Sequence, residues 1–147
     1  MSILSGKMKR SIMARIGNLN LGDDVQVSST LPAEPDRKCV YGGRVRWAQR
    51  EITDMKGVVF VQTITFEVRV RVFDLGDDVD GVEAEAERII SAIADGVVAL
   101  PSLVGTAGTL VASAGDQDPT MLSPGPEPSV AANFSVTFVV TVTTGGR

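Results

Sequence analysis

Histidine is missing from this chain of 147 residues, and cysteine occurs once, at Cys39. Without histidine there is no Ser-His-Asp or Cys-His nucleophilic system, no imidazole general base and no histidine-rich zinc site. A single cysteine makes neither an intrachain disulfide nor a thiolate metal cluster, and it suits a reducing compartment. Aromatic residues are 5% of the chain, with one Trp and one Tyr, so a sugar or base reader would find few stacking platforms. No Gly-rich loop closes on Lys-Ser/Thr, and no dinucleotide-type glycine spacing follows a strand. No cofactor and no metal are expected, and the chain does not read as an enzyme.

Long apolar runs are lacking too. No stretch approaches the roughly 18 residues of a membrane span. Near the start, Lys7, Lys9, Arg10 and Arg15 interrupt the apolar residues, unlike a secretory signal. The expectation is a soluble protein with no membrane partner. A balance of 14 basic against 18 acidic residues, net −4, argues against general nucleic-acid affinity.

The length suits one domain, and 44% hydrophobic residues against 22% charged suit one core. Leu4, Met8, Ile12 and Ile16 recur every fourth residue and predict an N-terminal helix ended near Gly17. The stretch to Lys38 carries Pro32 and Pro35 and reads mostly as loop, so 1–37 is helix and loop, with a short strand open at Val25 and Val27.

A β-hairpin follows over 38–73. Its first strand sets Val45 and Trp47 against Arg44 and Arg46, with a bulge at Gly42-Gly43. Asp54-Met55-Lys56-Gly57 supplies the turn. In the second strand Val58, Phe60, Ile64, Phe66, Val68, Val70 and Val72 alternate with Thr63, Thr65, Glu67, Arg69 and Arg71, one face for a core and one for solvent or contact.

The period then changes. Val82, Ala86, Ile89, Ile90, Ile93, Ala94, Val97 and Leu100 fit an amphipathic helix over 77–101, preceded by Asp77, Asp78 and Asp80 as capping carboxylates and stopped by Pro101. The C-terminal strands span 108–144. A weaker one covers Gly108–Ala114, a long Pro-rich loop covers 115–129, and a last strand alternates Phe134, Val136, Phe138, Val140 and Val142 with Ser135, Thr137, Thr141 and Thr143. The predicted class is α+β: a mostly antiparallel four-stranded sheet with the amphipathic helix on one face, plus the N-terminal helix. The pentapeptide Leu-Gly-Asp-Asp-Val occurs at 21–25 and at 75–79, which reads as coincidence or as two similar turns.

Several features invite chemistry. Gly76, Asp78, Asp80, Gly81 and Glu87 approach a calcium loop, but its first position is not an acid and a strand precedes it, so helix capping is the simpler account. Glu83 and Glu87 sit one turn apart, yet Glu85 and Arg88 beside them suggest a solvated charged face. The basic N-terminal helix fits packing of its apolar side better than a membrane or nucleic-acid surface. Arg44, Arg46, Arg69 and Arg71 project away from the core. They either form a solvated face with Glu67 as partner, or meet another subunit, where arginine makes bidentate contacts with carboxylates.

The run Thr65-Phe66-Glu67-Val68-Arg69-Val70-Arg71-Val72-Phe73, the acidic turn 74–80, the helix ending in Leu100-Pro101-Ser102-Leu103, a strand through Val111, a polar loop and the closing strand 132–143 follow one another in an order and spacing. That pattern resembles the tail terminator family of long-tailed (siphovirus-type) bacteriophages. The resemblance implies a tail-terminator-like fold and a homo-oligomeric ring, a hexamer, that caps the head-proximal end of the tail tube and stops its polymerisation. The implied partners are the major tail tube protein and a neck or connector (stopper) protein, with double-stranded DNA only as cargo through the lumen. The implied location is the tail–neck junction of the virion, after assembly in the host cytoplasm. Arg44, Arg46, Glu67, Arg69, Arg71, Asp116 and Asp118 are the candidate subunit or tube contacts. Two alternatives stand beside this: another neck or head–tail joining protein, and a small α+β ligand-binding domain.

Overall fold

Period-two patterning in the middle of the chain becomes the central strand of one sheet. A computed structural model describes residues 3–54, 57–99, 108–123 and 128–145. In chain order the elements are α1 (Ile3–Gly17), β1 (Val25–Ser28), β2 (Lys38–Asp54), β3 (Gly57–Leu75), α2 (Val79–Val98), β4 (Gly108–Ser123) and β5 (Ser129–Gly145). Along β3, Ile64, Phe66, Val68, Val70 and Val72 are at most 3% exposed, whereas Thr63, Thr65, Glu67, Arg69 and Arg71 between them are half-buried. On β5 the same alternation buries Phe134, Val136, Phe138 and Val140, and Phe138 pairs directly with Phe66.

Both helices pack on that buried side. Met8, Ile12, Met13 and Ile16 of α1 join Val82, Ala86, Ile89, Ile93 and Val97 of α2 in one core with the inward residues of the sheet. The side chain of Leu4, predicted to belong to this stripe, lies outside the described residues, as do Leu100 and Pro101 at the predicted end of α2 and the turn residues Met55 and Lys56. Asp78 caps α2, its carboxylate accepting from the Gly81 N–H at 2.9 Å. The helices are tied together where Leu19 packs on Gly96 and the Arg15 Nε donates to the Gly96 carbonyl at 3.1 Å. No described helix is long and apolar enough to cross a membrane.

The predicted α+β class holds, but the mostly antiparallel four-stranded sheet does not. Among the described residues the sheet is mixed and has five strands, in the order β1-β2-β3-β5-β4. The additional strand is β1, which pairs parallel to β2 from Val25↔Lys38 to Ser28↔Tyr41; every other pairing is antiparallel. Two valines in four residues give little pattern, and what makes the strand is the main-chain edge that β2 offers. Residues 29–37 carry the chain back for a parallel pairing through a series of bends, with φ fixed at Pro32 and Pro35.

The second correction concerns the predicted loop 115–129. Strand β4 does not stop at Ala114. It continues to Ser123, absorbing extra residues at two bulges, between Ala114 and Gln117 and between Met121 and Ser123. Pro119 pairs with Ala132 within the strand. It is tolerated because β4 is an edge, where one side of the backbone needs no sheet donor. Of the connection that remains, residues 124–127 lie outside the described residues.

Candidate functional site

A bulge decides which way the arginines of β2 point. Between Gly42↔Val68 and Val45↔Phe66 the strand β2 gains one residue on β3, which reverses its alternation. Val40 and Gly42 face the helices before the bulge, and Val45 and Trp47 do so after it. Tyr41, Arg44 and Arg46 are thereby turned to the face that no described helix covers. The two glycines have different reasons to be there. A Cβ on Gly42 would lie 2.5 Å from the Ser29 carbonyl oxygen and 3.1 Å from Lys9 Cε on the helix side. One on Gly43 would lie 2.8 Å from the Glu67 carboxylate on the open side.

The space left by Gly43 holds an ion pair. Arg69 Nε donates to Glu67 Oε1 at 2.8 Å, and both groups are partly exposed. Around the pair Arg44, Arg46, Thr65 and Thr137 complete a shallow depression of about 270 Å³. Four of the predicted site residues, Arg44, Arg46, Glu67 and Arg69, are therefore brought together across β2 and β3. Among the described residues neither Arg44 nor Arg46 has an ion-pair partner, and both are exposed. The depression holds three guanidinium groups and one carboxylate, an arrangement suited to an incoming anion, which arginine grips through paired N–H donors.

Other predicted residues lie elsewhere. Arg71 is on the same face but stands opposite Cys39 and Asn133, with its guanidinium 5.5 Å from the centre of the Phe73 ring, and it does not line the depression. Asp116 and Asp118 belong to β4, separated from β3 by the whole of β5, and their side chains lie outside the described residues. Thr65 and Thr137 were readable as outward residues of their strands but carried no signal of their own; only the pairing Glu67↔Thr137 brings Thr137 to the site. Cys39 shares the outward register, yet it is fully buried; that burial pushes its thiol pKa up from the ordinary 9.0, against the pull of the Arg71 charge.

A second charged cluster lies on the helix side. Lys38 Nζ reaches Asp24 at 2.8 Å and Glu85 at 3.8 Å, and Arg88 contacts Glu85 and donates to the Leu21 carbonyl at 2.9 Å. The Lys38 ammonium holds the Asp24 carboxyl below its ordinary range, and Glu85 holds Arg88 more firmly charged. These contacts fasten the turn before β1 to α2, so the cluster already has its partners. Among the described residues no group of three or more Cys, Asp or Glu is placed to hold a metal ion.

No family model matches the chain, and no curated protein matches it. Among solved structures, a chain from "Virion of native gene transfer agent (GTA) particle" superposes with a TM-score of 0.49 and 17% identity, covering 95% of this chain and 99% of that one. A likeness of that degree carries nothing about role.

Proposed function

We propose that the protein is a structural, non-catalytic virion component: a ring-forming tail terminator that caps the head-proximal end of a phage tail tube and joins it to the neck. The observation that carries the reading is the one-sided layering of the sheet. Two helices cover one face, while the other presents Arg44, Arg46 and the Glu67–Arg69 pair around an open depression. The same face exposes apolar residues as well, Val111 on β4 and, farther along β2, Ile52.

A monomer gains nothing from two exposed guanidinium groups held side by side, whereas a subunit interface does. The edge strand β4 adds to this reading, since an unpaired edge of that length invites pairing or cover by a neighbour. Head-to-tail contacts of this kind close into a ring when their rotations sum to a full turn, and the resemblance to tail terminators points to six copies.

Deletion of the gene followed by electron microscopy of the tails tests the role. Abnormally long tubes without heads are the expected outcome. Tails of normal length that fail to attach would replace termination with a joining role, and unaffected particles would end the reading.

A further inference from the structure

The arginine depression has a match elsewhere on the same molecule. Asp77, Asp80, Glu83 and Glu87 surround the first two turns of α2, on the side away from the buried stripe Val82–Ala86–Ile89. Asp77, Asp80 and Glu87 are exposed, and none of the four has an ion-pair partner among the described residues. Each set is destabilised by its own like-charged neighbours, because acids three or four positions apart on a helix repel, as do guanidinium groups side by side. The two sets are of opposite sign, and they cannot meet within one chain. The helix lies on one side of the sheet and Arg44, Arg46 and Arg69 open on the other.

We propose that the depression formed by Arg44, Arg46 and Arg69 receives the acidic first turns of α2 from a second copy of this chain. The inference rests on the ring reading above and names the contact that builds the ring. The start of α2, with Asp77 just before it and Asp80 and Glu83 in its first turns, enters the basic depression, and its carboxylates take the N–H groups that Arg44 and Arg46 leave free. The two surfaces are different patches of the same protein, so the contact is head-to-tail, and every subunit gives one and receives one. Charge complementarity sets the register and discourages the face-to-face pairing of two arginine surfaces.

The test uses two variants of the full chain, Arg44→Glu/Arg46→Glu and Asp77→Lys/Asp80→Lys/Glu83→Lys. Particle mass in solution is measured at low salt, with and without the tube protein. Wild type is expected to assemble. Each variant alone is expected to assemble roughly tenfold less readily or worse, since both of its contact surfaces then carry one sign. An equal mixture of the two regains assembly, because each wrong surface of one variant fits the wrong surface of the other. Rings so formed alternate and hold an even number of subunits. That rescue also shows that both variants fold.

Assembly of either variant alone at the wild-type level would overturn the inference while leaving the ring reading intact. So would loss of assembly by the arginine variant without rescue in the mixture, which would assign the depression to another virion protein or to an anion such as phosphate. A wild-type chain that stays monomeric even with tube protein present would overturn the ring reading itself, and this inference with it.

Discussion

The two faces of β3 differ more than any two elements of the molecule do. On one, Ile64, Phe66, Val68, Val70 and Val72 are nearly water-free beneath two helices; on the other, residues one position away in sequence are Thr65, Glu67, Arg69 and Arg71. The buried face works by area, and full burial of a Phe or Ile stabilises by about 1.5–3 kcal/mol. The open face works by charge, and its exposed ion pair contributes about 1 kcal/mol or less to the fold. What this contrast teaches is a division of labour within one strand. Stability sits under the helices, which leaves the opposite face free to hold charges that do not help the monomer.

Three kinds of substitution break or sharpen that division. The largest effect is expected from Phe138→Ala on the helix side, where the ring is fully buried and pairs with Phe66. Its denaturant midpoint should fall by an amount equivalent to about 3–5 kcal/mol, and a loss below about 1 kcal/mol would mean that the ring is not held in a close-packed core. Gly42→Ala comes next. Its added methyl meets main chain at Ser29, which cannot swing aside, so a cost of about 1–3 kcal/mol is expected. Gly43→Ala, on the open side, chiefly meets the movable Glu67 carboxylate and should cost less; equal costs in parallel thermal melts would erase the distinction between the faces. The smallest effect belongs to Arg46→Ala, expected to leave monomer stability within about 0.5 kcal/mol of wild type. A large destabilisation there would show that the arginine face serves the fold.

Much of the fold was legible in the sequence because burial on one side leaves a period. The alternations of β3 and β5, the stripe of α2 from Val82 to Val97 and the capping Asp78 are each read from neighbouring residues, and the structure keeps them. The clustering of Arg44 and Arg46 with Arg69 was half legible. The alternation of Arg44 and Arg46 with Val45 and Trp47 predicted that the β2 arginines would point away from the core, but only strand pairing sets Thr65, Glu67 and Thr137 beside them. The loop expected over 115–129 failed for a related reason. A segment with several prolines reads as loop, and nothing local says that β5 offers it a partner.

The repeated pentapeptide marks the boundary between what the chain decides locally and what it does not. Leu-Gly-Asp-Asp-Val forms a turn at both places, with Gly22 at φ 127° and Gly76 at φ 124°, a conformation that glycine alone adopts cheaply. The amino acids by themselves determined those turns, the two-sided strands and the amphipathic helix, since each depends on the conformational preference or spacing of residues close in sequence. The tertiary structure decided which element each turn leads into. Val25 enters a strand because the edge of β2 lies alongside it, and Val79 enters a helix whose apolar stripe the sheet covers. It also decided that β4 runs through Pro119 to Ser123, because pairing with β5 satisfies a backbone whose side chains alone prescribe no sheet.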